Sequence, residues 1–204
     1  MPGETDVMNQ ALREIGASPI VARTDGSPSA NAVDDIYDDI RDDLLRAHNW
    51  NFATKRVKLA RTTLDPGFEF DYAYALPADW LRTISVHAND AGHGTVLHRM
   101  ELIGTQRAIV ASANDIWLRY VAKITDPNLM AADFRRALAY SLAEPLAIVL
   151  ASSNTLRQLM EEKAKKKLGA ARSADAQGAF PELRPRGSWA SSRNGRRRDS
   201  TLSD

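Results

Sequence analysis

Cysteine is absent from all 204 positions, which excludes disulfides, thiolate metal ligands and cysteine nucleophiles. That absence fits an intracellular assembly environment, where disulfides are rare. Long apolar runs are missing too. Charged or polar groups interrupt each one short of the roughly 20 residues a spanning helix needs, so no membrane contact is expected. The opening MPGETDVMNQ carries neither the basic nor the apolar block of a signal peptide, and the expectation is a soluble chain not secreted by that route. No G-x-S-x-G elbow, P-loop or dinucleotide fingerprint occurs, so no catalytic residue is expected. The aspartate-rich stretch 34–43 lacks the loop glycine and terminal glutamate of an EF-hand. His87, His93 and His98 surround one predicted hairpin, with His48 apart from them. They lack the carboxylate partner and helical ligand spacing of a zinc site, so neither metal nor cofactor is expected.

What is present is helical periodicity at both ends of the chain. In Asp133–Ser152 an apolar residue recurs every fourth position, at Phe134, Leu138, Leu142, Leu146 and Leu150, which places a stripe on one helix face. Asp126 or Asp133 is the expected cap. Pro145 inside this helix removes a backbone donor and costs about 3 kcal/mol unless a kink absorbs it. A first helix is predicted over Glu4 to Ile15, stopped by Gly16. A second follows Ser27-Pro28, a cap and a first-turn proline, with Val33, Ile36, Tyr37, Ile40, Leu44 and Ala47 on its apolar side. A fourth runs from a cap at Asn154 to Ala176. Between the second and third helices the pattern shifts to alternation: Leu81–His87, Thr95–Met100, Gly104–Ala111 and Ile116–Ile124 read as strands separated by turn signals. The expected fold class is therefore α+β: mainly an α-helical bundle (1–49 and 126–176) with an inserted antiparallel β-meander (50–125) and an extended C-terminal tail (177–204).

Charge is divided by position, although the formal net charge is only +1. Residues 1–45 hold ten acids against three arginines, and residues 180–204 hold six arginines against three acids. On the second helix Asp34, Asp38 and Asp42 stack at four-residue spacing, as do Asp35, Asp39 and Asp43. Like charges so placed repel by a few tenths of a kcal/mol per pair. This is either a solvated face or a contact with something basic. The fourth helix is basic through Arg157, Lys163, Lys165, Lys166, Lys167 and Arg172, an arrangement that pairing with an acidic helix of a neighbouring copy would use. After Gln177 periodicity ends, and Phe180, Leu183 and Trp189 stand as isolated apolar anchors among Arg184, Arg186, Arg193, Arg196, Arg197 and Arg198. Such an arginine run neutralises phosphates or pairs with acidic protein surface; one tryptophan beside it is too few for a single-strand stacking platform.

Several stretches, in order and spacing, resemble the head-to-tail adaptor, or tail tubular protein A (gatekeeper), family of short-tailed bacteriophages. They are Ala11-Leu12-Arg13-Glu14-Ile15-Gly16-Ala17-Ser18-Pro19-Ile20, Asn31-Ala32 through Ile36, and Arg41 to Trp50-Asn51-Phe52-Ala53. Tyr74-Ala75-Leu76-Pro77-Ala78-Asp79-Trp80-Leu81-Arg82 follows, then Tyr120, Ile124-Thr125-Asp126-Pro127 and Phe134-Arg135-Arg136-Ala137-Leu138-Ala139. The resemblance covers residues 7–176 and implies a structural connector in the virion neck, assembled in the host cytoplasm as a ring of twelve copies. Such a ring joins the portal protein to the tail or nozzle protein, and DNA passes through it without specific binding. On that reading the tail, through Phe180, Leu183, Trp189 and its arginines, docks on the portal. The aspartates of the second helix line the channel or a subunit seam, with Lys163, Lys165, Lys166 and Lys167 opposite. The alternative expectation is a nucleic-acid-binding accessory protein that uses the basic tail and the fourth helix.

Overall fold

The structure, a computed structural model, describes residues 3–92 and 94–178. Among the described residues four helices and six strands make it α+β. Helix α1 (Glu4–Glu14) ends where Gly16 adopts φ +73°, a left-handed conformation that glycine enters without a Cβ penalty. Helix α2 (Pro28–Arg46) starts as expected, with the Ser27 hydroxyl accepting from the Ala30 amide. Helix α3 (Ala132–Val149) begins without the expected side-chain cap, because Asp126 instead accepts from the Asn128 amide and caps a short 3-10 turn, Pro127–Leu129. Helix α4 (Asn154–Gln177) is capped by Ser153, whose hydroxyl accepts from the Leu156 amide; Asn154 is already the first helical residue.

α3 is the element the other helices touch: α1, α2 and α4 all pack on it. Phe134, Leu138, Leu142 and Leu146 are buried as their spacing required, and Ala137, Ala139, Ala143 and Ala147 fill the rows between them. Small side chains at those positions leave room for neighbouring helices on several sides. Ahead of the strands, Trp50 locks the base of α2: its indole donates to the Leu44 carbonyl at 2.9 Å and meets the Phe134 ring edge-on at 5.0 Å. Phe52 closes the cluster against Phe134 at 5.1 Å.

All six strands lie between α2 and α3: β1 (Thr54–Lys58), β2 (Tyr72–Ala75), β3 (Trp80–His87), β4 (His98–Ile103), β5 (Gln106–Ala111) and β6 (Trp117–Ala122). They do not form the expected meander. Strand order is β1-β6-β3 in one sheet and β2-β5-β4 in the other, so only the β4–β5 hairpin joins neighbours in sequence. Alternation marks where strands are, but each half of this segment sends its strands to both sheets, and pairing at that distance leaves no local mark. One core cluster joins the helices to both sheets, including Tyr37, Trp50, Phe134 and Leu138 with Val86, Leu118, Val121 and Ile109. A smaller cluster, Phe70, Ala73, Ala108 and Val110, packs separately.

Candidate functional site

The two aspartate rows of α2 have different surroundings. Arg23, in the loop before the helix, reaches Glu4 at 2.9 Å, Asp34 at 2.5 Å and Asp38 at 3.4 Å. From the helix itself Arg41 reaches Asp38 at 2.6 Å and Asp42 at 2.8 Å, and Lys123 on the far side reaches Asp42 at 2.8 Å. Both guanidiniums lie over the Tyr37 ring, at 5.2 and 5.8 Å. Partial burial alone would raise the Asp38 carboxyl, but the charges and hydrogen bonds of Arg41 and Arg23 outweigh it and hold the group below the ordinary carboxylate value. Asp34, Asp38 and Asp42 are therefore the balanced row. Asp35, Asp39 and Asp43 are exposed and have no partner among the described residues.

Arg41 is the residue sequence reading misplaced. The expected apolar face ran through Ile40 and Leu44, yet both are only half-buried; the buried line is Ala30, Val33, Tyr37, Arg41 and Leu45. An arginine 1% exposed sits in the middle of it. The four-residue spacing from Tyr37 to Arg41 to Leu45 was the available signal, obscured by the charge of the middle member.

On α4 the basic residues divide in the same way. Lys163 reaches back to Glu14 of α1 at 3.2 Å and lies 5.5 Å from the Tyr140 ring centre, while Tyr140 donates to the same carboxylate at 3.1 Å. Lys165 pairs with Glu161 at 2.5 Å along the helix. Lys163 thus ties α4 to α1, while Lys165 pairs only within its own helix. Lys166, exposed, and Lys167, half-buried, have no partner among the described residues. The end of α4 is fixed in place. The Asn51 amide donates to Asp175 at 3.0 Å, and the Asn51 side chain donates to the Asp175 carbonyl at 2.7 Å. The proposed tail residues Phe180, Leu183, Arg184, Arg186, Trp189, Arg193, Arg196, Arg197 and Arg198 lie outside the described residues.

A third feature was not anticipated. The outward face of the β1-β6-β3 sheet places Arg56 directly opposite Arg119, and Arg119 opposite Ser85; the next row is Lys58, Trp117 and His87. Lys58 lies over the Trp117 ring at 5.0 Å and pairs with Asp115 at 3.0 Å. Beside these rows is a half-open cavity of about 710 Å³, lined among others by Asn49, Arg56, His87, Asn89, Trp117 and Arg119. The wet face of β6, with Trp117 and Arg119, was legible from alternation; the basic partner strand beside it was not. Of the histidines weighed for metal, His87 bonds Ser85 at 2.9 Å and His98 bonds the Val96 carbonyl at 2.8 Å. His93 lies outside the described residues, and no cluster able to hold a metal ion occurs among the described ones. Nor is any described helix long and apolar enough to cross a membrane.

Neither a scan against models of known protein families nor a search of curated proteins finds a match for this chain.

Proposed function

We propose that this chain is a structural subunit of a head-to-tail connector of a short-tailed phage, acting by assembly rather than by turnover. The observation that carries the reading is the charge left over after internal pairing, the outward row Asp35, Asp39 and Asp43 on α2 and, on α4, exposed Lys166 with half-buried Lys167. A head-to-tail ring needs two different complementary faces on each copy. These rows supply opposite signs on two helices, and the resemblance in residues 7–176 supplies the setting: a helical bundle with its β-rich insertion, twelve copies, a portal above and a tail or nozzle protein below. The basic arm after Gln177, with Phe180, Leu183 and Trp189, is the portal-docking element of this proposal. The acidic row belongs to the seam between copies, with Lys166 and Lys167 of the next copy facing it, and DNA passes through the ring without specific contact.

The test is native mass measurement of the full chain, alone and mixed with the portal protein. Reversing Asp35, Asp39 and Asp43 to lysine lowers the ring population at least tenfold, and adding Lys166→Glu and Lys167→Glu restores it. Assembly also weakens as salt rises, because exposed charges are screened over about 8 Å at physiological ionic strength. A ring that forms equally well with the aspartates reversed removes the seam assignment. A monomer at every concentration, with no affinity for the portal, removes the connector reading.

A further inference from the structure

Among the described residues, three of the four sheet edges are protected and one is not. β1, at the edge of the β1-β6-β3 sheet, carries Lys55, Arg56 and Lys58, a run of like charge that keeps another strand away. β3, at the opposite edge, is covered at its end by 94–96. There the Ala88 amide donates to the Gly94 carbonyl and the Val96 amide to the Val86 carbonyl, both at 3.3 Å. In the other sheet, β2 is covered by 60–62: the Thr62 amide donates to the Ala73 carbonyl at 2.9 Å, and the Ala75 amide to the Ala60 carbonyl at 3.2 Å. β4 has none of these protections. It contains neither lysine nor proline, and its register with β5 runs without a bulge. Beyond that ladder no backbone bond reaches it among the described residues. Every second residue of β4 therefore turns its N–H and C=O to open solvent.

The side chains along this edge say what covers it. Leu97, Leu102 and Met100 are 78%, 66% and 42% exposed, an apolar strip at the one unguarded strand. Arg99 and Glu101 alternate with them and stand on the other face. Glu101 has no partner among the described residues. Arg99 touches Glu69 once, at 3.3 Å, and its side chain is still 61% exposed. Two identical strands can pair antiparallel across a two-fold axis normal to the sheet. Each face must then continue into the other copy, so odd positions meet odd ones and even meet even. Two such registers match five residues of β4 each. Centring on Glu101 sets that carboxylate against its own twin, which repels. Centring on Met100 sets Arg99 of each copy against Glu101 of the other, Met100 against its twin, and His98 against Leu102. Opposite charges directly across a strand pair attract. The segment His98–Leu102 is thus complementary to itself in one register.

We propose that two copies of this chain pair antiparallel through β4, centred on Met100, and join their three-stranded sheets into one of six strands. An isologous contact of this kind closes on itself and cannot propagate a ring, so this surface is separate from the charged seam of the connector. A contact of one short strand from each copy is small, and the dimer is weak and reversible. The experiment is sedimentation equilibrium of the full chain, up to about 300 μM. It is run with Asp35, Asp39 and Asp43 reversed to lysine, which silences the proposed seam. This chain forms a dimer. Glu101→Arg and Arg99→Glu, added singly, each weaken it about tenfold, because both charge pairs become repulsive. Mixing the two variants restores pairing, since one strand is then basic and the other acidic; misfolded chains would not recover in this way. The sequence has no cysteine. Met100→Cys therefore crosslinks copy to copy on oxidation, its Cα facing its twin within disulfide reach, whereas Leu102→Cys, opposite His98, does not. The proposal is overturned by a monomer at every concentration, by a mixture no tighter than either variant alone, or by equal crosslinking at positions 100 and 102. Loss of the dimer on deleting residues 179–204 assigns the contact to the arm, and β4 amides protected from exchange only with the portal protein assign the edge to that partner; either result also overturns it. Arg99→Glu and Glu101→Arg in the otherwise unaltered chain leave ring formation unchanged by native mass measurement, so the connector reading stands or fails separately.

Discussion

Arg41 shows how a charged side chain is held inside a core. Its stem occupies the line between Tyr37 and Leu45, and its guanidinium meets Asp38 and Asp42. Each of those carboxylates keeps a second cation, Arg23 or Lys123. Removing the charge while keeping the stem therefore strands no buried ion. Arg41→Met costs about 1 kcal/mol or less, whereas Arg41→Ala leaves a cavity and costs about 2–4 kcal/mol; urea denaturation separates the two, and equal losses would refute the packing account. Titration adds a second check. Burial would raise Asp79 as well as Asp38. The hydrogen bonds Asp79 accepts from Lys55 at 2.7 Å and Tyr120 at 2.9 Å hold it low instead. Groups depressed in the fold stabilise it above their unfolded value near 4, and that contribution disappears as pH falls through the folded value. Burial pushes the phenols of Tyr37 and Tyr120 up to about 12, Tyr37 further raised by Glu4 and Tyr120 by its bond to Asp79. A raised acid stabilises the fold fully below its unfolded value near 10 and loses that contribution as pH rises towards 12. Stability followed by denaturant midpoint accordingly declines at both limits. Asp79→Asn flattens the acid limb, and Tyr120→Phe reduces the alkaline one.

Element ends were readable in part: the Ser27 cap and the Gly16 stop stand as expected, whereas Ser153 replaces Asn154 as the cap of α4 and α3 has no side-chain cap. Ser27 accepts from the Ala30 amide at 3.2 Å at the start of α2, and Ser153 accepts from the Leu156 amide at 3.2 Å at the start of α4. Replacing either serine by alanine costs about 1 kcal/mol. The two losses add within about 0.5 kcal/mol in the double variant, because the caps share no partner. Thermal melts of the three variants measure this, and a serine whose removal costs nothing is not a working cap. α3 gains no such help, since Ala131 precedes it, and its stability comes from burial of its leucines and alanines on three neighbours. Glu14 ties the elements together from the edge, accepting from Tyr140 of α3 and Lys163 of α4. Lys163, one of the four lysines expected at a seam, has an ion-pair partner within the chain.

At the scale of the whole molecule, internal ion pairs determine what is left to meet a partner. Of six aspartates on α2, three have cation partners within the chain, and of four lysines on α4, Lys163 is tied to α1 and Lys165 to its own helix. The proposed assembly and its salt sensitivity belong to that remainder. The amino-acid order alone determined the four helices, the Ser27 cap and Gly16 stop of the first two, and the β character of the segment between α2 and α3. Each of these depends on residues within one or two turns of each other. Tertiary structure alone decided which strands pair, which aspartates remain unpaired, that Arg41 is buried, and that Arg56 stands beside Arg119 on paired strands. Those outcomes depend on residues up to 67 positions apart in the β1–β6 register, where one step of slippage would exchange the two faces of the sheet.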